Sequence, residues 1–208
     1  MIMDTSTRDK LLAQMNLKPS AAQLDILDDP SRYKLVAGGV RGGKSRLAGA
    51  YMTLKILESI ADKTANPGDI YWLVAADYER TRAEFNYIGT DLGNLGLLGD
   101  MSKPINPGVL RLNVCVCGEI NCNHEKIAIK TKSASDFKSL AMEAPSGIIG
   151  CEASQLDLES FWRLEERLVE KRGWLMLEGT FESSLGWYPE KYIHWSSPAV
   201  QKTENVKS

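Results

Sequence analysis

The segment YKLVAGGVRGGKSRLAGAYMTLKI, from Tyr33 to Ile56, constrains the chain more than any other stretch. It opens on a short, mostly apolar run, YKLVA, of the kind that forms a buried strand. Four glycines follow, at Gly38, Gly39, Gly42 and Gly43. A helical pattern then begins, with apolar positions Leu47, Tyr51, Leu54, Ile56 and Ile60. Gly38, Gly43, Lys44 and Ser45 satisfy the spacing G-x-x-x-x-G-K-[ST] of a phosphate-binding loop. The chemistry needs glycines because backbone N–H groups must turn inward where side chains would obstruct them. The helix that follows points its positive end at the bound anion. Lys44 is then expected to reach the β- and γ-phosphates of a nucleotide, and Ser45 to ligate Mg²⁺. Gly38, Gly39, Val40, Arg41, Gly42, Gly43, Lys44, Ser45 and Arg46 form the expected nucleotide-binding stretch. Arg41 lies inside the loop, where a guanidinium can reach the γ-phosphate as an arginine finger supplied in cis. The competing reading of Arg41 is a solvated surface arginine.

The rest of the chain bounds this reading. Its 208 residues suffice for one sizeable domain, or a domain with a small insertion. A hydrophobic content of 43% and a charged content of 25% are ordinary for a soluble globular protein. No apolar run approaches ~18 residues, so no membrane span is expected. The N-terminus MIMDTSTRDK carries no hydrophobic signal, which argues against secretion. A formal net charge of -2 disfavours broad, tight nucleic-acid binding by this chain alone, without excluding a local basic strip.

Short helices are expected over residues 5–16 and within LKPSAAQLDIL, and further strands at DIYWLVAA and WLMLEGT. YERTRAEFNYIGTDLG begins helical and fades into a glycine-rich loop. GIIGC, diluted by two glycines, is a weaker strand. LDLESFWRLEERLVEKR is a strong helix closed by Gly173, with Leu164 and Leu168 on its core face. From about Ser196 the chain is polar and aperiodic, as in a linker or a truncated end. Strands alternating with helices predict an α/β fold, a mainly parallel sheet covered on both faces.

Nucleotide hydrolysis also needs a group to activate water, at the end of a neighbouring strand. Glu152 follows GIIGC and precedes the strong helix, so it is the candidate. The residue before it is Cys151, where an aspartate is usual, and a thiol is a poor ligand for hard Mg²⁺. Either Ser45, phosphates and waters hold the ion, or another acid such as Asp157 helps.

Gln23 upstream, the arginine-bearing loop AGGVRGGKS, CEASQLD with Glu152, and WLMLEGTFESSLGWYPEKY with Gly179-Thr180 follow one another in an order that resembles the ATPase domain of the large terminase subunit of tailed phages, the DNA-packaging motor. The resemblance covers roughly residues 15–195. It implies a P-loop NTPase of the ASCE type. Gln23 would read adenine, Glu152 would be the catalytic glutamate with Lys44 and Arg41, and Gly179 and Thr180 would form the coupling element that senses loss of the γ-phosphate. A basic residue acting on the neighbouring subunit's site would correspond to Lys138, with Arg80 and Arg82 as alternatives. ATP and Mg²⁺ are the implied ligands. The implied partners are double-stranded DNA, a portal protein and a small terminase subunit. A homo-oligomeric ring would form on the procapsid in the host cytoplasm, from chains that are monomeric when isolated. Two departures stand out: Cys151, and Phe181 where the family continues with proline. Complete large terminases carry a C-terminal nuclease domain, which this chain is too short to hold, so no nuclease activity is expected from it.

RLNVCVCGEINCNHEKIAIK lies outside that pattern. It reads as two strands of a small β-hairpin, an insertion over about 109–133, with a turn at GEIN. Cys115, Cys117, Cys122 and His124 would converge on folding, a Cys₃His set suited to tetrahedral, structural Zn²⁺. The plain alternative is reduced cysteines beside a surface histidine. Lys126, Lys130 and Lys132 fall on one strand face at period two, either a DNA-phosphate contact or a solvated row. His194, among aromatics, reads as structural. Two rivals to the motor remain: another P-loop enzyme, a kinase or helicase-like ATPase, and a zinc-stabilised nucleotide-binding adaptor without turnover.

Overall fold

The computed structural model describes residues 3–103, 105–117, 122–181 and 186–207. The chain begins with α1 (Thr5–Gln14), capped by the Asp4 carboxylate on the Thr7 N–H, and α2 (Ala21–Asp28). There follow β1 (Tyr33–Ala37), α3 (Lys44–Ala61), β2 (Ile70–Ala75), α4 (Arg82–Asn94), β3 (Leu98–Met101), β4 (Val109–Leu112), β5 (Ala128–Ser133) and α5 (Phe137–Ala141). The last elements are β6 (Gly147–Gly150), α6 (Leu158–Arg167), β7 (Trp174–Gly179), α7 (Trp187–Trp195), α8 (Pro198–Glu204) and β8 (Val206–Lys207). Among the described residues the strands form one eight-stranded sheet in the order β3-β4-β5-β2-β6-β7-β1-β8. The six strands from β5 to β8 pair in parallel, and β4 and β3 extend the edge antiparallel.

Alternation along the strands divides the core into two layers. Val36, Leu73, Ile149, Cys151 and Met176 meet α3 and α4 on one face. Leu35, Trp72, Val74, Ile148, Leu175 and Leu177 meet Phe161, Leu164 and Leu168 of the α6 region and Tyr188 and Trp195 of α7 on the other. The expected mainly parallel, doubly covered sheet is therefore present.

Several local expectations differ. The glycines of GIIGC do not weaken a marginal strand; they let the central strand β6 fit. A Cβ on Gly147 would overlap the Trp174 indole, and one on Gly150 would come within 2.7 Å of Leu177. YERTRAEFNYIGTDLG begins helical as expected but does not fade into a glycine-rich loop, because α4 runs on to Asn94 and β3 follows. The helix over 157–172 stops at Arg167, and Gly173 is needed for space against Leu168 and Ser146 rather than as its C-terminal cap. The stretch from Ser196 is not an unstructured linker. It forms α8 and then β8, whose Val206 is buried beside Tyr33, with Asn205 in a left-handed turn between them. Burial of one valine and completion of the β1 edge hold a segment whose composition carries no periodicity.

Candidate nucleotide site

Because β5, β2, β6, β7 and β1 run the same way, their C-terminal ends share one edge of the sheet, where ligands of open α/β folds bind. The loop from Gly38 to Gly43 leaves β1 at that edge and enters α3. Gly43 holds φ +75°, and the Gly42 N–H donates to Gly39 O at 3.2 Å, which folds the loop tightly. Lys44 Nζ donates to Gly39 O at 3.1 Å, so the ammonium lies back over the loop it is expected to serve. Arg41 is exposed, with φ +64°.

Among the described residues six non-glycine residues adopt positive φ, and four of them (Asn16, Lys63, Arg172 and Asn205) sit in turns that end helices or precede strands. The other two are Arg41 and Glu152. Left-handed backbone in a charged residue costs about 1–3 kcal/mol and is commonest at functional sites. Glu152, half-buried, follows β6 with φ 45° and ψ 47°. Its backbone N–H donates to Glu178 Oε1 at 3.1 Å. Glu178 stands on β7, the strand between β6 and β1, in register with Val36, and Gly179 is in register with Ala37. The Gly38 N–H donates to Gly179 O at 3.3 Å. Glu152, the Gly179-Thr180 strand end and the phosphate loop are thus joined by a short chain of hydrogen bonds. Gly179 is tightly enclosed: a Cβ there would lie 3.2 Å from Tyr188 Oη and 3.2 Å from the Ser154 nitrogen. Tyr188 is itself buried and donates to Val36 O. The residues directly after Phe181, numbers 182–185, lie outside the described ones.

Gln23 belongs to the same neighbourhood. It closes a capping box on α2: its Oε1 accepts from the Ser20 N–H at 2.9 Å, and its own N–H donates to Ser20 Oγ. Its Nε2 lies 3.0 Å from where a Cβ on Gly43 would stand, so the amide faces the start of α3.

Three of the sequence candidates have side chains engaged elsewhere in the structure. Arg46 does not turn its side chain to the phosphates: its guanidinium grips both oxygens of buried Asp91 on α4, at 2.7 and 2.8 Å, and donates to Met15 O at 2.8 Å. At the third residue of α3 the side chain points away from the loop and ties α3 to its neighbours. Asp157, the alternative acid, caps α6 by accepting from the Ser160 N–H at 2.6 Å. The lysine row is internally occupied. Lys130 and Lys132 both pair with Glu143, Lys132 also reaches Ser139 O, and Lys126 donates to Cys122 Sγ at 3.2 Å. Lys138 is exposed on α5, at the same sheet edge as the phosphate loop. Arg80 and Arg82 make local ion pairs with Asp77 and Glu79. His194 is exposed and lies 3.3 Å from Glu204.

The sequence reading missed two carboxylates. Glu84 and Glu178 are buried, and one oxygen of each lies within 4.8 Å of the other and of Cys151 Sγ. Burial pushes the Glu178 carboxyl up to about 8, the charges of Glu84 and Glu152 adding to it and the Glu152 N–H and Lys44 opposing it. Burial and the same acids drive the Cys151 thiol well above its ordinary range, so it stays protonated. The signal was present in WLMLEGT, a lone carboxylate inside an otherwise apolar strand.

Solved structures report the same architecture. The ATPase domain of the Thermus phage P74-26 large terminase superposes with a TM-score of 0.69 at 16% identity, covering 89% of this chain and 74% of that one. The HK97 bacteriophage large terminase gives 0.65 at 12% identity, with 96% of this chain and 43% of that chain covered. The large terminase of a thermophilic bacteriophage in complex with ADP gives 0.64 at 11%, with 90% and 44% covered. The fold is that of the large-terminase ATPase domain. No family model and no curated protein matches by sequence. The chain spans less than half the length of these two whole large terminases.

The Cys/His set lies at the opposite end of the sheet. β4 runs antiparallel to β5, so their connection sits where the parallel strands begin. The Gly68 N–H, just before β2, donates to Glu125 O there at 3.1 Å. Cys115, Cys117, Cys122 and His124 each offer a ligand atom within 4.8 Å of the other three, as the sequence predicts. Burial opposes ionisation of the Cys122 thiol. Hydrogen bonds from the His124 N–H, Lys126 and the Cys115 and Cys117 thiols outweigh it and lower the thiol to about 6. None of the four cysteines is in a disulfide. The turn GEIN falls outside the described residues.

Proposed function

We propose that this chain is the ATP-hydrolysing domain of a viral terminase motor that drives double-stranded DNA into a procapsid. The observation that carries the reading is the hydrogen-bonded route from the phosphate loop through Gly179 and Glu178 to Glu152. A fold shared with terminase ATPase domains, one of them from a large terminase solved with ADP, supports it. In this reading the loop N–H groups and Lys44 hold the phosphates, and Gln23 contacts the base. Glu152 orients the attacking water, and Arg41 stabilises charge on the transferred phosphoryl group. Ser45 would hold Mg²⁺, which supplies charge neutralisation at the phosphates. Loss of the γ-phosphate would relax the loop, and the Gly38–Gly179 hydrogen bond would pass that change to Thr180 and α7. Lys138 is the candidate for action on a neighbouring subunit within a ring. The portal protein and small terminase subunit would be the assembly partners, in the host cytoplasm.

The Cys₃His cluster fits Zn²⁺ by donor chemistry, by convergence and by a thiol already inclined to ionise. Four protein donors make it structural, and its place at the far end of the sheet separates it from the phosphate chemistry. ADP titration by calorimetry tests the nucleotide reading. Binding that Lys44→Ala weakens by about tenfold or more supports it; no heat from the wild-type chain sinks it.

A further inference from the structure

The residue before Glu152 is the buried Cys151, whose sulfur is a poor ligand for a hard cation, so the metal side of the site lacks an acid there. The neighbouring strand carries one instead. Glu178 lies beside Val36 on β1, two residues before the phosphate loop opens. By alternation it faces the same side of the sheet as Met176 and Cys151, the side covered by α3 and α4. Glu84 rises to it from the first turn of α4. Gly49 permits that approach, since a Cβ there would press to 3.0 Å on Tyr87 and 3.6 Å on Glu84 O.

Both carboxylates are closed off from solvent, Glu84 at 1% and Glu178 at 0% exposure. Glu178 Oε1 is occupied by the Glu152 N–H, but Glu178 Oε2 and Glu84 Oε2 have no hydrogen-bond partner among the described residues. Two acids at this distance, each with an unpaired buried oxygen, cost several kcal/mol unless a cation or a shared proton occupies the space between them. The charge of Lys44, the lysine at the start of α3, acts on Glu178. Oxygen donors in this position match a hard divalent cation, as the Cys151 sulfur does not.

We infer that Glu178, backed by Glu84, is the acid that serves the divalent metal ion of the nucleotide site in place of the residue before Glu152. The carboxylate has moved one strand over, from the end of β6 to the end of β7. This rests on the ATPase reading and adds a consequence. The metal-side acid, which accepts from the Glu152 N–H, and Gly179 then share the end of β7, so the metal and the coupling element respond together. Glu178 is a positioning residue for the ion rather than a group that attacks the phosphate.

The test uses the whole chain saturated with ADP, with Mn²⁺ binding followed by electron paramagnetic resonance. ADP affinity without metal is measured in parallel. Glu178→Gln keeps an acceptor for the Glu152 N–H and removes the charge. It is expected to weaken Mn²⁺ binding by roughly 10- to 100-fold while metal-free ADP affinity holds. Glu84→Gln is expected to weaken Mn²⁺ binding less, and Cys151→Ser to leave it unchanged. Should Glu178→Gln fail to fold, Fe²⁺ with ascorbate on the wild-type ADP complex gives the answer: backbone cleavage at residues 177–179 supports the assignment, and cleavage confined to the phosphate loop and the end of β6 overturns it. Equal Mn²⁺ affinity in wild type and Glu178→Gln, with ADP still bound, overturns this assignment alone and leaves the pair merely sharing a proton. Failure of the wild-type chain to bind ADP at all overturns the ATPase reading, and this with it.

Discussion

Replacing Arg46 by methionine separates the two roles a basic residue next to the phosphate loop can have. In the structure the guanidinium satisfies both Asp91 oxygens and one main-chain carbonyl, and the Asp91 side chain is 1% exposed. Methionine fills much of the volume but leaves a buried carboxylate without a partner, a change that costs about 3–5 kcal/mol. The carboxyl can escape by taking a proton. From its ordinary value of 3.8 that costs about 4 kcal/mol at pH 7, at ~1.4 kcal/mol per pH unit. The expected loss at pH 7 is therefore about 3–4 kcal/mol. Burial already holds the Asp91 carboxyl above its ordinary value, with Arg46 opposing, and losing Arg46 raises it further. A carboxyl raised in the folded state binds more protons than it does unfolded, so the variant loses stability as pH rises above the unfolded value. At pH 5 the same bound is only about 1.6 kcal/mol, so the deficit shrinks in acid. Urea unfolding of wild type and variant at pH 5 and pH 7 measures both. A deficit under about 1 kcal/mol at pH 7, or one independent of pH, refutes the buried-pair reasoning. ADP affinity is expected to survive the substitution, and its loss would return Arg46 to the nucleotide site.

Chain purified without added zinc is expected to contain one zinc per molecule. Cys122→Ser or chelator should remove it and speed hydrogen exchange over 113–127 while ADP affinity holds; a metal-free wild type with unchanged exchange in chelator would end the zinc assignment. Gly147→Ala drives a methyl into the Trp174 ring and is expected to cost about 1–3 kcal/mol by urea unfolding, with no change in midpoint as the contrary result.

The strand, glycine-rich loop and helix over 33–61, the parallel sheet and the convergence of Cys115, Cys117, Cys122 and His124 were legible because each has a local signature. Glycines at fixed spacing, apolar runs of strand length and clustered sulfur ligands all act over a few residues. What was hidden depended on neighbours distant in sequence. Gly147 and Gly150 look like strand breakers until Trp174 and Leu177 occupy the space beside them. Val206 becomes a strand only because β1 offers an open edge. Lys126, Lys130 and Lys132 have the period of a DNA-facing row, but Glu143 lies outside any local window and closes on two of them. Arg46 reads as part of the loop until Asp91, 45 residues on, claims it. Glu84 and Glu178 meet only when α4 packs under the sheet, so neither residue alone announces a second acid near Cys151.

The central claim is that Glu152 orients the water which cleaves ATP bound at the phosphate loop. Single-turnover hydrolysis of radiolabelled ATP by excess protein tests it most directly, with ATP binding measured on the same samples. The account predicts slow but measurable release of phosphate by wild type. In Glu152→Gln the rate should fall by about 100-fold or more, with ATP still bound. Wild-type chain that binds ATP without ever cleaving it, or Glu152→Gln that cleaves at the wild-type rate, would contradict it.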